Sequence, residues 1–553
     1  MKKEAHQATT YDFVIIGSGF GGSVSAMRLA EKGYRVLVIE KGKRWKDGEF
    51  PKTNWDFKKY FWAPWLNWLG IQKIDFFRQI FVLSGTGVGG GSLVYANTHM
   101  MPSDHFFSHP GWAHFKDWKK TLIPFYEKAK FMLGTSSYEK LHREDEALRS
   151  IAGEMGREDE FGFVDGVGVY VGDREKAVAG DPYFNGLGPE RKPCIECAGC
   201  MVGCRHNAKN TLTKNYLYFA EKFGAEILAE KEVEQVEKTV DGYFVTIRNT
   251  RRWGRKNEQK INTKQVIIAG GVLGTLKLLF KQKYKYRTLP GISDRLGEQL
   301  RSNSEMLSGV TAAKEKVNNG LAISVVFNPD EDTHVELCKY PDGSGLMNFL
   351  GGPATDGYHP ALRPIIYLSQ YLRHPVRSLR MLFQQDKARN TVYLLIMQHL
   401  DSAMKMSWAK NLFGTGRLKL SNAGQQKVPA YIPKGQEITR KMAEKLDGVP
   451  LNSLPEMIFN TPTTAHILGG CPMGEDREKG VVNEYFEVHG YPGIRIIDGS
   501  IVPANLGVNP SLTITALAEY AMDRIPNKEG NTFKTLEQQM AEAEAIKSNH
   551  SHK

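Results

Sequence analysis

The sequence has no run of about 18 apolar residues, so no membrane-spanning helix is expected. The residues before Tyr11 are polar and lack the apolar stretch of a secretory leader. No nucleic-acid fold motif accompanies the net charge of +12, so nucleic acid is not an expected partner. That charge suits an anionic cofactor or an acidic membrane surface instead. Cysteine is scarce, with six residues in 553, too few for a disulfide framework. Four of the six crowd into one short segment, which points to a reducing, cytoplasmic setting. What remains is an ordinary globular mixture, 41% hydrophobic and 24% charged. The length calls for two large domains or one elaborated one.

Glycine is plentiful, and its 55 copies cluster. Tyr11 to Ile16 reads as a strand and Ser23 to Lys32 as a helix, with Gly17-Ser18-Gly19-Phe20-Gly21-Gly22 between them. Arg35 to Ile39 is a second strand, ending in Glu40. This is a β-α-β unit with GxGxxG at its first turn. Gly17 permits the tight turn, Gly19 admits a pyrophosphate, and Gly22 lets the helix pack on the strand. Glu40 suits a ribose diol and would repel a 2′-phosphate.

That unit alone does not separate FAD from NAD. The second block, Gly85 to Val94, has few bulky side chains, so its amides can lie against a large planar ligand; alone, it could equally be a surface loop. Val233 to Arg248 reads as a hairpin turning at Asp241-Gly242, and Val266 to Leu279 as a strand, glycine turn and helix. Near the end, Asp498-Gly499 and Asn509-Pro510 flank a loop into a helix starting near Leu512, whose positive end could stabilise a reduced flavin. From about Asn527 the chain is polar and helix-prone, and it is expected to lie on the surface or be mobile.

Five segments together resemble the glucose-methanol-choline (GMC) oxidoreductases, in particular their bacterial cholesterol-oxidase branch: YDFVIIGSGFGGSVSAMRLAEKGYRVLVIEKG, GTGVGGGSLVYANT, VIIAGGVLGTLKLL, HILGGCPMG and IRIIDGSIVPANLGVNPSLTITALAEYA. The resemblance implies an α/β fold. Its Rossmann-like FAD-binding domain would be built from discontinuous segments, 1–100, 190–305 and 460–530. An α+β substrate-binding domain would be inserted as 101–189 and 306–459, with a polar tail at 531–553. It also implies that Gly85, Gly89, Gly91 and Ser92 line the flavin, that Val233 meets the adenine by its backbone, and that Asp498, Gly499, Asn509 and Pro510 surround the isoalloxazine. Val94 stands near the place where some members attach FAD through a histidine, so non-covalent FAD is expected.

Alcohol oxidation needs a base for the hydroxyl proton and donors that hold the oxygen. His466 is the candidate base, with Asn509 as its partner; both match the family's His/Asn pair. A lone histidine is more often a structural residue, and here the glycine-rich context and the resemblance favour function. The expected reaction oxidises a hydrophobic, sterol-like alcohol to a ketone or aldehyde, with oxygen or another electron acceptor. The alternatives are a dehydrogenase for a non-steroidal alcohol that passes electrons through an iron–sulfur cluster, a non-catalytic flavin electron-transfer protein, and an NAD-dependent dehydrogenase.

Cys194, Cys197, Cys200 and Cys204 have the C-x2-C-x2-C-x3-C spacing of a bacterial ferredoxin segment. Arg205 stands where proline is usual, and no second cysteine set is present for the fourth ligand to serve. An iron–sulfur cluster, zinc, or thiols packing a turn are all open. Aromatic and basic residues interleave over Trp55 to Leu83, and Arg363 to Arg389 mixes Ile365, Ile366, Leu368 and Leu372 with Arg373, Arg377, Arg380 and Lys387. Either segment could meet anionic lipid or be ordinary core and solvated charge, so peripheral membrane contact is an expectation. The cholesterol oxidases that the chain resembles also isomerise their product with a glutamate. Alignment puts that glutamate's place at Met347, with Glu336 as the other candidate, so weak or absent isomerisation is expected.

Overall fold

The computed structural model describes residues 10–173, 180–251, 257–355, 357, 359–373, 387–410, 416–424 and 426–551. Two seven-stranded sheets organise them. In the first, the strand Tyr11–Ile16 lies between Val36–Ile39 and Gln259–Ile268, parallel to both. Val36–Ile39 pairs outward with Glu226–Leu228, and Ile494–Ile496 joins Gln259–Ile268 from near the end of the chain. Tyr11–Ile16 and Val36–Ile39 are apolar and buried along nearly their whole length, as central parallel strands covered on both faces are. The hairpin Lys231–Lys238 and Tyr243–Asn249 extends the sheet antiparallel.

The helix Phe20–Glu31 packs against Ser511–Asp523, which packs in turn on Trp118–Met132. A buried ion pair joins the first two. Arg28 Nε lies 2.9 Å from Glu519 Oε2, and Tyr216 OH donates to Glu519 Oε1 at 2.7 Å. Removing Arg28 would strand the buried Glu519, at a cost of about 3–5 kcal/mol, whereas Arg28 without Glu519 would keep Glu31 at 3.0 Å. The polar tail folds as the helix Leu536–Ser551. It docks through the buried Leu536 and through Glu537, 3.3 Å from Arg28.

The second sheet runs Gly351–Pro353, Gly448–Ser453, Met306–Ala312, Thr391–Gln398, Thr333–Cys338, Val325–Phe327 and Phe161–Phe163. Its central strands are antiparallel. All six residues of Thr333–Cys338 are buried. Arg377 and Arg380 lie outside the described residues.

Candidate active site and cofactor cleft

The cleft starts where Tyr11–Ile16 ends. Gly17 has φ +104°, and a Cβ there would stand 2.2 Å from Ala269 O, so the turn needs glycine. The following helix has no side-chain cap and no acidic residue in its first turn, which leaves its amides open to an anion. The second glycine block folds directly onto this turn: a Cβ on Gly90 would lie 2.6 Å from Gly19 Cα. A cavity of about 350 Å3 results, lined by Gly17, Gly19, Glu40, Gly85, Gly91 and Val233 among others. An uncapped helix start and a wall without side chains fit a dinucleotide's pyrophosphate.

Glu40 does more than face the cavity. Its carboxylate accepts Ser18 N at 3.1 Å, Ser18 Oγ at 2.8 Å and Gly42 N at 2.8 Å, so it also fixes the turn. Gly22 packs its backbone against Gly17. Ser92 is fully buried; it donates to Gly89 O at 2.7 Å and accepts from Leu212 N at 3.1 Å, so its hydroxyl is spent closing the second turn. Asp498 is buried beside Gly499 and takes Thr275 Oγ1 at 2.5 Å and Ser500 N at 2.9 Å, tying the last loop to the helix Val272–Phe280. Pro510 is the residue at the mouth of Ser511–Asp523.

His466 and Asn509 meet, with Asn509 Nδ2 3.4 Å from His466 Nε2. Thr98 Oγ1 donates to Asn509 Oδ1 at 2.6 Å, which fixes the amide so that its NH2 faces the imidazole. On the other side, His466 Nδ1 lies 2.9 Å from Glu305 Oε1, with the carboxylate off the ideal line of the N–H. Glu305 is fixed by Thr464 Oγ1 at 2.7 Å and Ala465 N at 2.8 Å. Burial works against the imidazolium, but Glu305, and then Glu336, more than offset it and raise the pKa of His466. A proton on Nδ1 towards Glu305 leaves Nε2 as the acceptor, the state a base needs.

Residues 189–300 and 384–518 match the two GMC oxidoreductase family models, and residues 15–45 match an NAD(P)-binding Rossmann-like domain. A cholesterol oxidase of Mycobacterium tuberculosis is 43% identical over 533 residues, covering 94% of this chain and 91% of that protein. The chain belongs to the GMC oxidoreductase family. A cholesterol oxidase of Acinetobacter baumannii is 40% identical, with 96% of each chain covered. Pyridoxine 4-oxidase from Mesorbium loti shares the fold at a TM-score of 0.59 and 16% identity, covering 93% of this chain and 99% of that one. This GMC protein is an FAD-dependent alcohol oxidoreductase.

Two residues of this GMC site carried no signal in the sequence, Thr98 and Glu305, and a third, Glu336, was only the second candidate for the isomerisation glutamate. Glu336 is fully buried, with Oε2 3.3 Å from Asn509 Nδ2 and Oε1 3.2 Å from His334 Nε2. The structure thus brings Glu336, the second of the two candidates, against Asn509. Met347 lies in the short helix Leu346–Phe349 and packs against the cluster of Trp45, Phe50 and Tyr60. The glutamate that faces Asn509 is Glu336, on the strand Thr333–Cys338.

The four clustered cysteines sit apart from His466, around a second cavity, and the six cysteines of the chain form no disulfide. Burial, and then Cys200, push the Cys197 thiol up to about 11. Among the described residues, no three His, Cys, Asp or Glu side chains gather closely enough to ligate one metal ion.

Proposed function

We propose that this enzyme oxidises a 3β-hydroxysterol or a closely similar hydrophobic alcohol and isomerises the product at the same site. Bound FAD, held without a covalent link, supplies the hydride acceptor. His466 Nε2 takes the hydroxyl proton, while Asn509 Nδ2 donates to the oxygen. Glu305 orients the imidazole and balances the charge it gains. Glu336, on the far side of Asn509, takes a proton from one ring carbon of the β,γ-enone and returns it to another, which conjugates the double bond with the ketone. Two buried carboxylates around one His/Asn pair carry the proposal. A plain alcohol oxidation has a use for Glu305 but none for Glu336.

The alcohol would come from a lipid surface. Trp55 and Phe57 are exposed beside the exposed Phe349, with the Trp55 and Phe349 rings 5.4 Å apart. Lys387 Nζ stands 4.3 Å from the Phe349 ring centroid. The helix Arg363–Arg373 exposes Ile365, Leu368 and Leu372, and it packs on Leu454–Phe459, whose Phe459 is 67% exposed. Residues 460–465 lead from that helix straight to His466. Apolar side chains with cations among them suit an anionic interface. No described helix is long and apolar enough to cross a membrane.

A second reading, a dehydrogenase that passes electrons through an iron–sulfur cluster, draws support from one contact. The cysteine turn Gly199–Val202 packs on the glycine turn Gly90–Leu93.

The test is product analysis with a 3β-hydroxy-5-ene sterol. The expected product is the 4-en-3-one, formed faster than the free 5-en-3-one rearranges. Flavin bleached by long-chain alcohols but by no sterol would overturn the sterol reading.

A further inference from the structure

We infer that Cys194, Cys197, Cys200 and Cys204 hold a [4Fe–4S] cluster beside the FAD cleft. The first observation is convergence. All four line one cavity of about 530 Å3, together with Lys52, Arg205, Lys209 and Lys316. Cys204 therefore returns to the other three, and the missing second cysteine set is no obstacle. The turns between these cysteines use left-handed backbone at non-glycine positions, Glu196 at φ +57° and Ala198 at φ +53°. Ala198 N is anchored to Gly320 O at 2.9 Å. Glu196 N already donates to Cys194 Sγ at 3.3 Å, the kind of hydrogen bond that supports a cluster's thiolates.

The second observation is charge. Lys209 is buried, and its ammonium donates to Tyr95 O and Cys200 O, both at 2.8 Å. Lys52, Arg205 and Lys316 line the same cavity beside Glu196 and Asp342, so an anionic cluster with four thiolate ligands would meet cations there. The Lys209 ammonium bridges the two sites, because Tyr95 directly follows the second glycine block.

A single ion is the other metal species that four cysteines could take. One tetrahedral zinc needs its sulfurs about 2.3 Å from a common point. Among the described residues no three His, Cys, Asp or Glu side chains are placed to hold one metal ion. In a cluster each thiolate binds its own iron, so the sulfurs stand apart around a larger body. The inference does not rest on the sterol reading, since the quartet lies away from His466, Asn509 and Glu336.

The experiment is iron and acid-labile sulfide assay of full-length protein purified without oxygen, with electron paramagnetic resonance after dithionite reduction. About four irons and four sulfides per chain are expected, with the signal of a reduced cluster. Cys197→Ser should lose the iron and keep its FAD, measured as flavin released on denaturation. Cys471→Ser, a buried cysteine outside the quartet, should keep both. If Cys197→Ser does not fold, Cys204→Ser serves instead, with the expected outcome a loss of the four-iron signal. Wild-type protein that contains no iron and takes up none with ferrous iron and sulfide overturns the inference. So does protein that carries zinc alone, or iron that survives the Cys197 change.

Discussion

Asn509 Nδ2 lies 3.3 Å from Glu336 Oε2 and 3.4 Å from His466 Nε2, so one amide stands between the two groups that can take a proton. Thr98 holds that amide by its oxygen and leaves both N–H bonds for the site. The arrangement divides the labour. The imidazole serves the hydroxyl proton, and the carboxylate serves carbon acids once the ketone exists.

Glu336→Gln should therefore separate two activities. Glutamine keeps the size and can still accept from Asn509 Nδ2 through its carbonyl oxygen, but it cannot carry the proton. Flavin reduction by a 3β-hydroxy-5-ene sterol should change by less than about tenfold, while enzymatic isomerisation falls by about 10²-fold or more. The measurement is chromatography of early products, with the 5-en-3-one expected to accumulate. If the variant releases the conjugated ketone as fast as the wild type, another base is at work.

His466 and Glu305 make a prediction in pH. A protonated imidazole cannot accept the hydroxyl proton, so kcat/KM should rise with pH through the His466 pKa of the free enzyme. That pKa is raised above the usual histidine value of about 6.5. Activity should thus be lost as pH falls through a limb above that value. Glu305→Gln removes the nearest negative charge, and its limb should move to lower pH. His466→Ala should remove the limb, keep FAD bound and slow flavin reduction by about 10²-fold or more. Stopped-flow flavin bleaching across pH checks all three, and a limb unmoved in Glu305→Gln would remove Glu305 from the mechanism.

The cofactor unit was legible because it is local. Gly17, Gly19, Gly22 and Glu40 lie within one β-α-β unit, and the turn forces glycine there by contact with Ala269. His466 and Asn509 were legible through short motifs around each. Thr98 and Asn509 are separated by 411 residues, and only the folded sheets bring them together. Glu336 was ambiguous for a different reason. Both faces of Thr333–Cys338 are buried, so alternation along the strand gives no sign of which side chains face the site. The tail was read as surface or mobile from its polarity, and the few residues that dock it, Leu536 and Glu537, do not stand out by composition.

Gly90→Ala tests the contact between the two glycine turns. Gly90 has φ +52°, and the added Cβ would lie 2.6 Å from backbone at Gly19. Neither atom can give way without parting the turns that wall the cleft. The variant should purify with much less FAD, read as the ratio of flavin to protein absorbance. Free FAD added back should restore it only at high concentration. Full flavin content would mean that the turns tolerate separation and that the cleft lies elsewhere.

The apolar face gives the last prediction. Leu368 and Leu372 project from one side of Arg363–Arg373, and Leu372 is 83% exposed. A leucine moved from water into an apolar phase gains about 1.5–3 kcal/mol. Losing two such contributions, and adding two negative charges near an anionic surface, should weaken partition by about 10³-fold or more. The change Leu368→Asp with Leu372→Asp touches neither the cleft nor His466. Co-sedimentation with vesicles of phosphatidylcholine and phosphatidylserine should therefore fall sharply for the double variant. Its turnover of detergent-dispersed sterol should stay near that of the wild type. Salt separates the two contributions, since it screens the cations near Phe349 and leaves the leucines alone. Wild-type binding should therefore weaken only in part at high ionic strength. If wild type and double variant pellet alike, this face does not meet the lipid, and the alcohol reaches His466 by another route.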